Sequence, residues 1–208
     1  MHPNPAFRQE GRDRNIGFAR DRGFGVLSVN GDPAPLISHI PFALSDDGSS
    51  AEIHLVRSNP ISRAATGPLP AVIAVTGPDG YISPDWYGDP AQVPTWNYVA
   101  VHLRGVLHPL PDEALRASLE TLTEMFETRL LPKKPWLLDK TPKDVQARLM
   151  RMIRPFRFDV AEVDGTWKLA QNKTTQARLS AASHLSGAQI GQETALLAAL
   201  MMGVDDGE

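Results

Sequence analysis

The segment GYISPDWYGDPAQVPTWNYVAVHLRG, residues 80–105, holds all three tyrosines of the chain and two of its four tryptophans. Prolines and glycines interrupt its first half, and these residues favour turns and loops. Its second half, from Thr95 onward, alternates side-chain types without a break, which predicts a long β-strand. An aromatic loop therefore leads directly into the longest predicted strand of the fold.

Successive side chains of this strand point to opposite faces of a sheet. One face begins with Asn97 and continues with valine and leucine, so we expect it to face the core. The other face begins with Trp96 and Tyr98 and mixes aromatic rings with polar tips. Such a face suits a subunit interface or the wall of a pocket for a planar ligand. An aromatic cross-strand ladder that covers one side of a barrel is the alternative interpretation.

The segment IHLVRSNPISRA, residues 53–64, predicts the end of a strand followed by a short helix. Asn59 is a preferred N-cap residue, and Pro60 suits the first helical position, where its missing N–H is not needed. A helix start carries free N–H groups and a positive dipole end, which favour a phosphate. The candidate phosphate ligands are Arg57, Ser58, Asn59, Ser62 and Arg63. An ordinary capped helix with solvated arginines is the alternative.

The segment TWKLAQNK, residues 166–173, follows another predicted strand. Lysine and side-chain amides donate hydrogen bonds to carbonyl groups and ring nitrogens, so this strand end is a third candidate for ligand binding. Its candidate residues are Trp167, Lys168, Gln171 and Asn172. The alternative is a strand that runs into a helix capped at Asn172.

The remaining sequence predicts short strands and two helical regions. TGPDG at residues 76–80 and the pair Asp164-Gly165 are predicted turns, and residues 10–22 are a predicted helix that stops at Gly23. Residues 112–154 change to a period of three to four, which predicts a helical insertion with an N-cap at Thr141. We expect a small β-barrel domain over residues 1–175 and a helical tail over residues 176–208, with a capping box from Ser186 to Gln189.

Composition excludes several classes of protein. The net charge of −3 provides no overall positive field for nucleic acid. The chain has no cysteine, so disulfides, thiolate metal sites and cysteine nucleophiles are excluded, and we expect no metal centre. We find no signal peptide and no apolar run near the ~18 residues of a membrane span, so the expected location is the cytoplasm.

Six segments together resemble the PaiB-like proteins, a family described as FMN-binding negative transcriptional regulators. They are SHIPF, HLVRSNP, GPDGYISPDWYG, VPTWNYVAVHLRG, the Pro-Trp pair at residues 135–136 and TWKLAQNK. The resemblance covers the chain from residue 1 to around residue 180. It implies the FMN-binding split barrel, a six-stranded Greek-key β-barrel that forms a homodimer with two flavin sites at the subunit interface.

The resemblance also implies residue roles around FMN. Arg57, Ser58 and Asn59, together with Ser62 and Arg63, would hold the phosphate. Asn97 and its neighbours Trp96 and Tyr98 would line the flavin ring. The strand-end residues Trp167, Lys168, Gln171 and Asn172 would approach the flavin from the partner subunit.

Two other functions compete with simple FMN binding. One is an FMN-dependent oxidoreductase that takes electrons from NAD(P)H, for which His39 and His102 are the nearest acid–base candidates; a lone strand histidine is more often structural. The other is haem binding, for which His54, His102 or His184 could ligate iron. We do not expect direct DNA binding, because the arginines near the first helix alternate with acidic residues and the tail offers no basic reading helix.

Overall fold

The computed structural model describes residues 1–204. Its strands are β1 (Phe24–Val29), β2 (Leu36–Pro41), β3 (Ala43–Leu44), β4 (Ser50–Val56), β5 (Leu69–Ile82), β6 (Thr95–Pro109), β7 (Ile153–Lys168) and β8 (Gly191–Gln192). Its helices are α1 (Arg12–Arg22), α2 (Pro60–Ala64), α3 (Leu115–Glu127), α4 (Lys143–Met150), α5 (Thr175–Leu185) and α6 (Thr194–Met202). Short 3₁₀ turns include Pro5–Phe7 and Pro84–Tyr87.

One sheet contains all the described strands. Its order is β2-β1-β5-β6-β7-β4-β3, and β8 pairs with β5. The registered pairs of β1 with β2 and β5, and of β4 with β3 and β7, are antiparallel. Six of the described strands contain six residues or more. The predicted fold class, mainly β with flanking helices, is confirmed.

The chain divides into two compact units. The first unit contains Met1–Asn15, Thr76–Val101 and the chain from Asp164 onward, and the second contains Ile16–Val75 and His102–Val163. In the first unit Val99, Leu169, Leu185 and Leu197 are buried. In the second unit the buried residues include Ile53, Leu103, Phe156 and Phe158, and β2 contacts β4 in addition to its pairing with β1.

Several local predictions are confirmed. Helix α1 ends at Gly23, whose N–H bonds the Ala19 carbonyl at 2.9 Å and whose φ is +57°. That left-handed conformation favours glycine. Strand β6 alternates as expected, with Asn97 and the following valines and leucines buried and Trp96 exposed.

Two predicted turns are wrong, because both lie inside long strands. Residues 76–80 belong to β5 and the pair Asp164-Gly165 belongs to β7. The glycines serve close packing: a Cβ at residue 80 would lie 2.8 Å from the Leu185 side chain, and one at residue 165 would lie 2.0 Å from Asn15 Oδ1. Close approach to a neighbour is a second reason for glycine in a strand.

Two predicted helix caps are also wrong. Helix α4 begins one residue later than expected, after Pro142, so Thr141 does not cap it. Ser186 follows the end of α5, and α6 begins only at Thr194, so no capping box connects Ser186 and Gln189. Helices α3 and α4 lie within the predicted insertion at residues 112–154, α5 begins one residue before the predicted tail, and α6 lies within it. The last tail residues, 205–208, lie outside the described residues.

Candidate functional site

The start of α2, in the second unit, has the predicted capped geometry. Asn59 Oδ1 accepts a hydrogen bond from the Ile61 N–H at 2.9 Å, and Pro60 is the first helical residue. The other end of the same amide, Nδ2, donates to Ser38 Oγ on β2 at 3.0 Å. Asn59 therefore uses both ends of its side chain to fix the helix start against the neighbouring strand.

Two exposed arginines flank this helix start. Arg57 donates from Nε to the Arg151 carbonyl at 3.0 Å, and its Nη2 pairs with Asp112 at 2.6 Å. Arg63 folds back and donates from Nη2 to the Ser58 carbonyl at 2.7 Å. The structure thus brings Ser58 and Arg63 together, while Arg57 is held by the Arg151 carbonyl and Asp112.

Ser62, which belongs to the same short helix, is buried. Its carbonyl accepts a hydrogen bond from Arg154 Nη1 at 3.5 Å, and the Ala65 carbonyl accepts one from the same atom at 3.2 Å. Arg154 also lies over the Phe156 ring. Sequence reasoning missed Arg154, because it belongs to β7 and lies 92 residues from Ser62 in the chain.

The first unit contains a cavity of about 230 Å³ beside the start of β6 and the end of β7. The N-terminal residues His2, Asn4 and Phe7 form one wall. The remaining lining residues are Tyr87, Gln92, Val93, Thr95, Asn97, Lys168, Ala170, Asn172 and Lys173. Of the residues predicted from sequence, the structure places Asn97, Lys168 and Asn172 in this cavity.

Two lysines supply the positive charge of the cavity. Lys168 Nζ donates to Thr95 Oγ1 and lies over the Phe7 ring, and Lys173 Nζ donates to Gln92 Oε1. Burial lowers the pKa of Lys168, and the nearby charge of Lys173 lowers it further. Within residues 1–204, neither ammonium group has a carboxylate within ion-pair distance.

Trp167 and Gln171 face their own unit. Trp167 is 4% exposed, its Nε1 donates to Asn15 Oδ1 at 2.8 Å, and the Arg14 guanidinium lies 4.3 Å from its ring centre. Gln171 accepts from the Leu169 N–H and donates to the Trp167 carbonyl at 2.6 Å. These bonds hold both side chains in place at the end of β7.

Strand β6 separates the three residues predicted to line the flavin ring. Asn97 is 1% exposed and faces inward, whereas Trp96 and Tyr98 lie on the opposite face. Trp96 is 46% exposed and meets Tyr81 edge to face, with ring centres 6.4 Å apart. Burial raises the pKa of Tyr98. The three residues therefore do not form one continuous surface.

A comparison with protein-family models matches residues 1–162 to the family described as "Putative FMN-binding domain". The chain belongs to this FMN-binding family. Protease synthase and sporulation protein PAI 2 of Bacillus subtilis is 30% identical over 159 residues, which is 75% of each chain. The yeast protein YKL070W of Saccharomyces cerevisiae is 33% identical over 118 residues, 51% of this chain and 70% of that protein.

Solved structures show the same fold for this FMN-binding family member. The FAD and haem binding protein from Mycobacterium smegmatis has a TM-score of 0.56 at 18% identity, covering 78% of this chain and 73% of that one. The flavocytochrome Anf3 from Azotobacter vinelandii has a TM-score of 0.53 at 13% identity, covering 80% and 72%. The predicted FMN-binding split barrel and the PaiB-like family are thereby confirmed.

The donor groups of the chain fit the chemistry of FMN, the cofactor of the family. A phosphate needs N–H and O–H donors, which Arg57, Ser58 and Arg63 offer in the second unit. Carbonyl oxygens and ring nitrogens of a flavin accept hydrogen bonds, and the Lys168 ammonium and the Asn172 amide of the first unit are donors of that kind. When bound, FMN itself supplies the redox chemistry.

The histidines considered for haem or catalysis lie on different elements. His54 lies on β4, where burial lowers its pKa, and His102 lies on β6. His184 stacks on Trp86 with ring centres 5.8 Å apart. Across residues 1–204, no three His, Cys, Asp or Glu side chains cluster as a metal site would require, and no helix there is long and apolar enough to span a membrane.

Proposed function

We propose that this protein binds FMN with the phosphate group held by the segment Arg57–Arg63 of the second unit. The observation that carries the proposal is the pair of exposed guanidinium groups in this segment, Arg57 before the Asn59 cap and Arg63 within the helix. Guanidinium groups form strong, charge-assisted hydrogen bonds with phosphate oxygens.

The existing partner of Arg57 does not prevent this role. Its ion pair with Asp112 is exposed on both sides, and such surface pairs contribute only about 0–1 kcal/mol. A phosphate dianion can therefore replace Asp112 at a small free-energy cost. Ser58 lies beside Arg63 and adds a hydroxyl donor.

Titration of the full chain with FMN, riboflavin and FAD, followed by flavin fluorescence, tests the proposal. We expect FMN to bind more tightly than riboflavin, because riboflavin lacks the phosphate. Equal affinity for FMN and riboflavin would contradict a phosphate role for this segment. An absorption spectrum of the purified protein distinguishes bound flavin from bound haem in the same sample.

We also propose that the protein is a homodimer. The exposed Trp96 and its edge contact with Tyr81 form an aromatic surface in the first unit, and aromatic residues are enriched at subunit interfaces. Sedimentation of the full chain and of a Trp96→Ser variant tests this. A monomer at all concentrations would contradict it.

The predicted contacts of Trp167, Lys168, Gln171 and Asn172 with the partner's flavin stay predictions, as do the cytoplasmic location and the nicotinamide donor. Anaerobic mixing of the FMN-loaded protein with NADH or NADPH tests the donor. Rapid bleaching of the flavin band would support a reductase. An unchanged band would support a protein that binds FMN without taking electrons from NADH or NADPH.

A further inference from the structure

We propose that Arg154, near the start of β7, is a positioning residue for the FMN phosphate. In this role Arg154 does not touch the phosphate. It fixes the short helix α2, which carries Ser62 and Arg63. The inference rests on the proposed function, because it concerns how the segment Arg57–Arg63 is held in the position that binds phosphate.

Helix α2 is too short to be stable without contacts to the rest of its unit. It contains five residues, Pro60–Ala64, whereas isolated helices shorter than about 12–15 residues are marginal in water. Tertiary contacts must therefore fix its position. Asn59 supplies one contact through its bond to Ser38, and the fully buried side chain of Ile61 supplies another. Both act at the beginning of the helix.

Arg154 supplies the contact at the other end of the helix. Its Nη1 donates to the Ala65 carbonyl at 3.2 Å and to the Ser62 carbonyl at 3.5 Å. The last carbonyl groups of a helix lack N–H partners within that helix, and a cation beside them also interacts favourably with the helix dipole. One guanidinium group therefore connects the last turn of α2 to β7.

The side chain of Arg154 is itself held by the core. It is half-buried, and its guanidinium carbon lies 5.6 Å from the centre of the Phe156 ring. Phe156 is buried and is the registered partner of Ile53 on β4. A guanidinium group over the face of an aromatic ring is attracted to it. The contact that fixes α2 therefore comes from a rigid part of the sheet.

The chain just before Arg154 holds the other end of the phosphate segment. The Met152 carbonyl accepts a hydrogen bond from the Arg57 N–H at 2.9 Å, and the Arg151 carbonyl accepts one from Arg57 Nε at 3.0 Å. Arg63 lies between these contacts and the last turn of α2. Because charge-assisted hydrogen bonds depend on geometry, loss of the Arg154 contact should misplace Arg63 relative to Arg57.

Fluorescence titration of Arg154→Met with FMN and with riboflavin tests the inference. Methionine keeps an apolar stem and removes both hydrogen bonds, so we expect FMN affinity to fall about tenfold and riboflavin affinity to stay unchanged. Arg154→Lys keeps the charge without the planar fork and should recover part of the loss. An equal loss of affinity for both flavins would overturn the inference, because it would report a general loss of the fold.

Removal of the two phosphate arginines shows whether Arg154 acts through them. In a variant that already carries Arg57→Ala and Arg63→Ala, Arg154→Met should change FMN affinity less than about twofold, because residues that act as one unit are not additive. A tenfold loss in this background as well would overturn the inference, since Arg154 would then contribute to FMN binding independently of both arginines.

Two control variants separate position from charge and from stability. Arg148→Met removes an exposed arginine of α4 and should leave both flavin affinities unchanged. Ile73→Val weakens the buried core of the same unit and should leave the ratio of FMN to riboflavin affinity unchanged. Equal binding of FMN and riboflavin by the unmodified protein would contradict the proposed function. A preference for FMN that persists in Arg154→Met would contradict this inference alone.

Discussion

The cations at the start of α2 and the cations of the first-unit cavity carry the same charge in different surroundings. Arg57 and Arg63 are exposed and bond to backbone carbonyls or an exposed carboxylate. Lys168 and Lys173 are partly buried and lie over aromatic rings. Exposed guanidinium groups suit a strongly charged phosphate, whereas partly buried ammonium groups beside aromatic rings suit the polar edge of a planar ring. The surroundings of these cations, more than their charge, therefore distinguish the two regions.

The largest expected effect removes both arginines. Arg57→Ala with Arg63→Ala should weaken FMN about 100-fold, because two charge-assisted hydrogen-bonding groups are lost. Riboflavin affinity should be unchanged. Flavin fluorescence titration measures both affinities.

Arg148→Ala is the matched control for this double variant, because Arg148 is an exposed arginine on α4. It is expected to bind FMN as the unmodified protein does. Equal weakening of FMN and riboflavin in the double variant would show that the arginines support the fold and not the phosphate.

A smaller effect is expected at the hydrogen bond between Trp167 and Asn15, at the end of β7. Trp167→Phe removes the indole N–H and leaves Asn15 Oδ1 without its 2.8 Å partner. The free energy of unfolding should fall by about 2 kcal/mol, within the range for an unsatisfied buried group. Urea denaturation measures this, and a loss below about 0.5 kcal/mol would contradict a structural role.

The smallest effect is expected at the helix cap. Asn59→Ala removes the bond to the Ile61 N–H and the bond to Ser38. Loss of a cap costs about 1 kcal/mol, so FMN affinity should fall about fivefold as the helix start loosens. Titration of FMN against Ser38→Ala separates the two bonds. An unchanged FMN affinity in Asn59→Ala would mean that the cap does not organise the phosphate segment.

Sequence was sufficient where a feature depends on neighbours in the chain. The stop of α1 at Gly23, the Asn59 cap and the alternation of β6 follow from local chemistry and are confirmed. The predicted turns at residues 76–80 and 164–165 failed for the opposite reason. The glycines at residues 80 and 165 are needed because the side chains of Leu185 and Asn15 pack closely against them, and these two residues lie far away in sequence.

The cavity could not be predicted for the same reason. Its lining comes from residues 2–7, 87–97 and 168–173, and no local pattern connects these three segments. Asn97 was assigned to the inward face correctly, but its unsatisfied oxygen appears only when Met201 and the N-terminal wall are in place. The signal that was available was the pair of lysines in TWKLAQNK without acidic neighbours.

The contact of Gly165 with Asn15 has a consequence for variation in the family. Any side chain at position 165 would displace the Asn15 amide, and that displacement would release the indole of Trp167. Substitutions at positions 15, 165 and 167 should therefore be strongly non-additive. Relatives are expected to change these three positions as a set, and a bulkier residue at 165 should accompany a shorter one at 15.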